Sequence, residues 1–231
     1  MIPKNRRIVQ NKTLFFKSWL WLILLLNDPF VVQSQTADFS KDVGFGVKSG
    51  VSFSSLVVSI PLQSEKGFFE PTYGLIFSYI DKKIVGIQLE VNYITKTWEE
   101  NPIVDYRFKS KLNYIEIPMF TTLHFGNKLK FLVNFGPYLA ILLKEQTSHN
   151  IAEASDYFPY YENRVARKGD FGMLGGAGLR YHSKFGLLQA EARYTYGFQN
   201  LYDSTTAKLD YSNMQTFGFF VSYQFSFANG H

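Results

Sequence analysis

Residues that could carry out catalysis or hold a metal are few in this chain of 231 residues. The absence of cysteine excludes disulfides, thiolate metal sites and cysteine nucleophiles together. The four histidines are His124, His149, His182 and His231, and no two of them have the spacing of metal ligands. We therefore expect neither a metal site nor a cofactor.

One small group of residues could act as a nucleophile set. Ser148 and His149 are adjacent, and Glu145 lies just before them in the sequence. Ser/His/acid sets catalyse acyl transfer, but their side chains must converge within hydrogen-bond reach. The segment around these residues has the composition of a long loop, which would position such a set poorly. We expect that the protein is not an enzyme.

A second set of residues is charged and could act together if the fold gathers it in one place. Its members are Lys48, Glu90, Glu116, Arg180, Glu191 and Arg193. Three cations and three anions can neutralise one another in a confined space, where each buried ion needs a partner. The set could therefore fill the interior of a closed fold as a structural network, or it could line a gated ion path. We expect the structural network.

The elements that must position these charges are β-strands, because side chains alternate with a period of two through most of the chain. In the last strand Phe217, Phe219 and Val221 lie on one face, and Gly218 and Ser222 lie on the other. No apolar stripe of helical period and useful length is present. Eight segments follow this pattern, at residues 43–54, 72–80, 87–93, 112–125, 130–144, 171–181, 188–196 and 216–227.

Short and long connections alternate strictly between these eight segments. The short connections are residues 81–83, 126–128 and 182–184, and the long ones are 57–70, 96–111, 145–169 and 200–212. Hairpins with short turns at one end and long loops at the other are typical of bacterial outer-membrane barrels. The sequence thus predicts an all-β fold, an eight-stranded antiparallel up-and-down transmembrane β-barrel.

Alternation alone does not decide which face is buried, since a secreted lipocalin-like barrel has the same period with its apolar face inward. Three features favour an apolar face that contacts lipid. The apolar faces carry large residues while the opposing faces are rich in glycine and serine, and the six charges lie on the opposing faces. Aromatic residues also recur near both strand ends, as in the two girdles of a membrane barrel. These aromatic residues are Tyr79, Phe125, Tyr181 and Tyr223 near the short turns, and Tyr73, Tyr93 and Tyr196 near the long loops.

The first 34 residues have the pattern of a secretory signal peptide with cleavage before Gln35. A basic head precedes the apolar run at residues 19–26, and small or modest residues precede the cut. A transmembrane anchor is the alternative, but the run is short of the roughly 20 apolar residues that a helix needs. The leader holds five of the 24 basic residues and one of the 19 acids. The remainder is nearly neutral, so the net charge gives no reason to expect nucleic-acid binding.

The expected organisation is a signal peptide at 1–34, a short periplasmic segment at 35–42, the outer-membrane barrel at 43–227 and a tail at 228–231. Several short motifs occur in order along this barrel. Residues 113–119 read NYIEIPM and are similar to the "YLEIPL" strand of the PorT-like outer-membrane β-barrel proteins of Bacteroidota. Supporting motifs are GVKSGVSFS at 46–54, GPYL at 136–139, DFG at 170–172, GGAG at 175–178 and EARYTYG at 191–197.

Nearly the whole mature chain resembles this family, and the resemblance implies an eight-stranded barrel in the outer membrane. The family's namesake belongs to the gliding and type IX secretion machinery, and no further motif points to that role here. We expect a non-enzymatic barrel with a side-chain-filled lumen, which is structural or binds a partner through extracellular loops. The alternatives are a lipid A-modifying enzyme and a narrow channel.

The third long connection is the candidate interaction surface, because it combines aromatic residues with cations. Its residues are Tyr157, Phe158, Tyr160, Tyr161, Arg164 and Arg167. They could recognise a protein or an anionic sugar, or they could cap the barrel mouth among lipopolysaccharide headgroups. The expected partners are outer-membrane lipid, lipopolysaccharide and a protein that contacts the loops.

Overall fold

A computed structural model describes residues 42–58, 64–80, 84–101, 107–150, 166–202 and 211–226 of the chain. The chain divides into two compact units, Met1–Asp38 and Phe39–His231, and all described residues belong to the second. The expected signal peptide, the segment that follows it and the C-terminal tail lie outside the described residues. Within the described ranges, no helix is long and apolar enough to cross a membrane.

Nine strands form the described part of the fold. They are β1 (Asp42–Val58), β2 (Ser64–Gly67), β3 (Phe69–Ile80), β4 (Val85–Asn101), β5 (Arg107–Gly126), β6 (Leu129–Asn150), β7 (Gly169–Ser183), β8 (Gly186–Gly197) and β9 (Ser212–Ser226). The short strand β2 pairs with the outer end of β4, beyond the point where β3 stops pairing with β4. The other eight strands each pair with two neighbours in the ring, and β4 pairs with β2 as well.

These eight strands close into a ring with the order β1, β3, β4, β5, β6, β7, β8 and β9, and β9 pairs with β1 again. Every pairing is antiparallel, so the predicted eight-stranded antiparallel barrel is confirmed. The strands are staggered around the ring. If the paired residues are followed from Lys48 through β3, β4, β5 and β6, they reach Asp170 on β7. If they are followed in the other direction through β9 and β8, they reach Arg180, which is ten residues further along β7. A stagger of this kind requires tilted strands, typically by about 35–45°.

Exposure alternates along the strands as the sequence predicts. Large apolar side chains face outward, for example Leu139 at 65% exposed, while Glu90 and Arg180 face inward and are buried. The outward side chains form an apolar belt around the barrel, and four of the predicted girdle residues, Tyr73, Tyr93, Phe125 and Tyr181, are exposed at its two edges. A belt of this kind is suited to lipid and not to water.

Two of the short connections, at residues 126–128 and 182–184, are tight turns at one end of the barrel. β5 ends at Gly126 and β6 begins at Leu129, and β7 ends at Ser183 shortly before β8 begins. Gly126 has a φ of 116° and Gly186 a φ of 145°, values that residues with a Cβ rarely adopt. Glycine at these two positions therefore allows the chain to reverse within a few residues.

Three of the long connections are shorter than the sequence predicts, because the strands continue beyond the belt. Much of the expected loop at 96–111 is strand, since β4 extends to Asn101 and β5 begins at Arg107. The loop expected at 57–70 contains β2, and β6 extends to Asn150. Main-chain pairing persists here, but the outward side chains become polar. The alternation of apolar outward and polar inward residues, which marks the membrane strands, is therefore absent from the sequence of these extensions.

Candidate functional site

Four charged side chains from three strands meet inside the barrel. Lys48 Nζ on β1 donates hydrogen bonds to Glu90 Oε2 on β4, at 2.8 Å, and to Glu191 Oε1 on β8, at 3.1 Å. Arg193 on β8 donates Nη1 to Glu90 Oε2 at 2.9 Å and Nη2 to Glu90 Oε1 at 3.0 Å, and it also binds Glu191 Oε1. All four side chains are at most 6% exposed as residues. These bonds connect strands on different sides of the ring, so they cross the lumen.

Amide side chains complete the coordination of the two carboxylates. Glu90 also accepts hydrogen bonds from Gln88 Nε2 at 2.7 Å and from Asn92 Nδ2 at 2.9 Å. Glu191 Oε2 accepts from Asn134 Nδ2 at 2.6 Å and from Gln189 Nε2 at 3.0 Å. A buried carboxylate needs several such donors, because its desolvation costs several kcal/mol.

Arg180 on β7 joins these ions through two glutamines. Its Nε and Nη2 donate to Gln189 Oε1 at 2.9 and 2.6 Å, and Nη2 also donates to Gln88 Oε1 at 3.0 Å. Because Gln88 and Gln189 in turn donate to Glu90 and Glu191, all these groups form one connected system. We call Lys48, Glu90, Arg180, Glu191 and Arg193, with their amide partners, the ion network.

Glu116 on β5 is the exception among the six predicted ions. It is buried at 3% exposed, but it makes none of the ion pairs of the network, and its Oε2 accepts no hydrogen bond from a described residue. The expected pairing of Glu116 with a lumen cation is therefore not present. The register pairs it with Asn92 on β4 and Ala140 on β6.

Two phenylalanine rings contact the cations of the ion network. Phe220 lies with its ring centroid 4.0 Å from Lys48 Nζ, and the Phe120 centroid is 4.8 Å from Arg193 Cζ. Gly50 and Gly218 leave space for the Phe220 ring, since a Cβ on either would stand 2.5 Å from a ring atom. Glycine at these two positions therefore allows close packing in the lumen.

A second group fills the lumen on the side away from the short turns, and it is mainly apolar. We call it the apolar plug, and it consists of Leu56, Ile94, Trp98, Leu112, Tyr114, Phe120, Tyr138, Ala140, Ala166, Leu174, Leu201, Tyr202 and Met214. All of these residues are at most 5% exposed. They come from most strands of the ring and from the segments that follow β8 and precede β7.

The plug surrounds an ion pair that the sequence analysis missed. Lys96 Nζ on β4 is 3.1 Å from Asp170 Oδ2 on β7, and Tyr138 OH donates to the same oxygen at 3.0 Å. The Lys96 ammonium also lies 5.0 Å from the Tyr114 ring centroid and 5.6 Å from that of Tyr138. Lys96 has the same parity along β4 as Gln88 and Glu90. Extension of the alternation past residue 93 would have predicted its inward direction.

The candidate loop surface is mostly outside the described residues. Tyr157, Phe158, Tyr160, Tyr161 and Arg164 all fall there, so their positions stay predictions. Arg167 is described: its side chain is exposed, and its backbone N donates to Leu201 O at 2.8 Å.

The possible nucleophile set does not converge in the part that is described. Ser148 is exposed on the outer face of β6, whereas Glu145 has inward parity and its Oε2 accepts from Ala166 N at 3.3 Å. The described residues also contain no group of three or more His, Asp or Glu residues that could hold a metal ion.

Comparison with known proteins identifies the chain. The family described as "Outer membrane protein beta-barrel domain" matches residues 33–203. The chain belongs to this family. The barrel is thus an outer-membrane protein, and its apolar belt faces the lipid of that membrane, with lipopolysaccharide as part of its surroundings. Among curated proteins, none matches the sequence of this outer-membrane barrel significantly.

The fold is similar to that of a solved outer-membrane protein. OprG of Pseudomonas aeruginosa is 11% identical, covers 82% of this chain and 96% of its own, and has a TM-score of 0.51. AlkL, solved in lipid bilayers, is 12% identical and has a TM-score of 0.47, and the match covers 83% of this chain and 92% of AlkL. Neisserial surface protein A is 12% identical and has a TM-score of 0.42, and the match covers 78% of this chain and 97% of that protein. At these identities the likeness to OprG supports the fold alone.

Proposed function

We propose that this outer-membrane barrel is not an enzyme, that its lumen is closed, and that it acts through the surfaces it presents outside the bilayer. Its role is structural, or it binds a partner through its extracellular segments. The observation that carries this proposal is the filled lumen, in which the ion network and the apolar plug occupy successive levels. An eight-stranded barrel is just wide enough for its own side chains.

Closure by the ion network is costly to reverse. A path through this level would have to separate Lys48 and Arg193 from Glu90 and Glu191, which they contact at about 3 Å. Each ion separated in this way would lose its partner inside the lumen, at a cost of several kcal/mol. The plug adds a second layer, in which mainly apolar side chains pack around the Lys96–Asp170 pair and oppose the entry of hydrated ions.

Partner binding is supported by the shape of the barrel wall and by the sequence of the third long connection. β4, β5 and β6 continue past the apolar belt and hold a surface above the bilayer. The aromatic and basic residues expected at 157–167 follow directly after β6. Aromatic residues and arginine are enriched at binding hot spots.

A finer form of this proposal is membership of the PorT-like barrels, and with it a role beside the gliding or type IX secretion machinery. The support is the resemblance of residues 113–119, which form part of β5 and direct Glu116 into the lumen. A secretion partner would contact the extracellular segments, because the described lumen is filled by side chains. The role therefore depends on what the extracellular segments bind.

Affinity isolation from gently solubilised outer membranes tests partner binding. Three tagged chains are compared: the natural chain, one with residues 151–165 replaced by a Gly-Ser linker of equal length, and one with residues 203–210 replaced in the same way. We expect a protein that is recovered with the first and third chains and lost with the second. Recovery of the same proteins with all three chains would remove the third connection as the binding surface and would favour a purely structural role.

The enzymatic alternative has a direct test. Lipid A from a strain that lacks the protein is compared with lipid A from the parent strain by mass spectrometry. We expect identical acyl chains, because Ser148 and Glu145 lie on opposite faces of β6. A changed acylation pattern that is restored by the natural chain and not by Ser148→Ala would establish the enzyme instead.

A further inference from the structure

Charged side chains on the outer wall of the barrel are confined to one sector. The outer faces of β1, β3, β7, β8 and β9 carry no charge among the side chains that the structure describes. On β2, β4, β5 and β6 the outer wall carries Lys66, Glu99, Arg107, Lys109, Lys111 and Lys144. Four of the five cations are exposed, and the Lys111 side chain is 41% exposed.

This sector begins at the edge of the apolar belt. On the outer faces of β5 and β6, Ile115 pairs with Ile141, and the register shifts at the next position. Asn113 then pairs with Lys144, directly above Ile141 and Leu143, which are 57% and 56% exposed. Lys111 and Lys109 follow at the next two outward positions of β5. The cations therefore start where the lipid-facing side chains stop.

The sector lies at the end of the barrel opposite the short turns. In outer-membrane barrels the short turns are periplasmic, so this end lies in the outer leaflet. That leaflet consists of lipopolysaccharide, whose lipid A carries phosphate groups at the boundary between acyl chains and sugars. Ammonium groups at this level meet phosphates laterally, because the wall that bears them rises directly from the lipid-facing surface.

We propose that this surface, which we call the cationic wall, is a binding site for the phosphates of lipid A. Among the described side chains, the five cations share this wall with one acid, Glu99, which pairs with Lys66 and Lys109 in the register. A second acid, Glu70 of β3, occupies a position paired with buried Ser52, and its carboxylate reaches Lys111 at 3.4 Å. The excess of positive charge suits an anion with more than one phosphate. Lysine stems also lie well along apolar surface while their ammonium groups reach the headgroup level.

Local contacts hold two of the cations in place for this role. Lys109 Nζ lies 4.1 Å from the Phe68 ring centroid, and Lys66 Nζ lies 5.8 Å from the same centroid. Phe68 is fixed in turn, since its backbone N donates to Thr97 O at 3.3 Å. Lys66 and Lys109 thus share one aromatic neighbour, and they lie on the two strands that flank Glu99. This inference uses the location of the barrel and does not depend on the proposed function.

The test compares two pairs of lysines of equal charge on the full chain, folded in detergent. The first variant is Lys109→Gln with Lys144→Gln, in the cationic wall. The control is Lys128→Gln with Lys184→Gln, both exposed beside the short turns. Binding is measured for purified bisphosphorylated lipid A, for the same lipid A after phosphatase treatment, and for inorganic phosphate. Circular dichroism melting confirms that each variant is folded.

We expect the wall variant to bind bisphosphorylated lipid A at least about tenfold more weakly than the natural chain, given about fivefold per cation near a charged lipid surface. The control should stay within about twofold, and dephosphorylated lipid A should bind weakly to all three chains. Inorganic phosphate alone should compete poorly, because it lacks the acyl chains that contact Ile141 and Leu143. If the wall variant binds lipid A as well as the control does, the proposal is wrong, and an acidic protein becomes the better occupant. Equal binding of dephosphorylated lipid A would also overturn it.

Discussion

The two levels of the lumen are lined by the same strands with the same inward parity, yet they are held together by different interactions. At the ion network, charges and amides are bonded across the ring, and phenylalanine rings cover them. At the apolar plug, large side chains such as Trp98 and Leu112 pack together around one ion pair. The difference follows from what lies outside the wall at each level.

β4 shows how the outside determines the inside. Up to Tyr93 its outward residues are apolar and its inward residues are polar, as in Gln88 and Glu90. Beyond Tyr93 this contrast ends. The inward positions alternate between apolar Ile94 and Trp98 and charged Lys96 and Glu100. The outward face becomes polar, since Thr97 and Glu99 pair with Lys111 and Lys109 of the outer wall. The change on the outward face therefore marks the edge of the bilayer.

The largest loss of stability is expected when Glu90 of the ion network is replaced by glutamine. Glu90→Gln removes a charge that Lys48 and Arg193 both contact and leaves these cations in excess. We expect the free energy of unfolding to fall by about 3–5 kcal/mol, the usual cost of breaking a buried ion pair. Urea unfolding of the chain in lipid vesicles measures this change.

Glu116→Gln is the matched control, because Glu116 is equally buried but makes none of the network's ion pairs. We expect it to cost less than about 1 kcal/mol, since no close ionic partner is lost. A loss at Glu116 as large as that at Glu90 would mean that the interior responds to total charge and not to the contacts of the ion network.

A smaller effect is expected in the apolar plug. Leu112 is fully buried there, and Leu112→Ala should reduce the free energy of unfolding by about 3 kcal/mol through lost packing and the cavity left behind. This loss should be the same at low and at high salt concentration, because it contains no charge. A loss that shrinks markedly in high salt would show that electrostatic contacts, and not packing, hold the plug together.

The smallest effect separates the Lys96–Asp170 ion pair of the plug from the packing around it. Tyr138→Phe removes the hydrogen bond to Asp170 and should cost about 1.5–3 kcal/mol, the range for a bond to a charged group. Tyr114→Phe removes a hydroxyl that has no hydrogen-bond partner among the described residues, and it should be neutral or slightly stabilising. Equal losses at both tyrosines would indicate that the hydroxyl of Tyr138 acts through packing alone.

Much of the barrel could be predicted from the sequence because lipid imposes a strict rule on the outer face. Within the belt every second residue must be apolar, so the eight strands, their order and the inward direction of Lys48 and Arg193 follow from parity. The rule ends at the edge of the belt. The extension of β4 and β5 and the inward position of Lys96 were therefore missed.

Contacts within the lumen could not be predicted from parity, because parity gives direction but not distance. Glu90 and Glu116 both point inward, yet of these two only Glu90 forms ion pairs with Lys48 and Arg193. Arg180 also points inward, but its hydrogen bonds to Gln88 and Gln189 depend on how the side chains of several strands pack together. Register between strands is set by the whole ring, and one strand's sequence does not contain it.

The central claim is that the ion network closes the lumen, and the conductance of single barrels in a planar bilayer tests it most directly. The full mature chain is folded in detergent and inserted, and insertion is verified by the heat-dependent mobility of the folded barrel on gels. The account predicts no discrete current steps from the natural chain. Stable, repeated steps carried by the natural chain would contradict it, because ions would then pass the level at which Lys48, Glu90 and Arg193 meet.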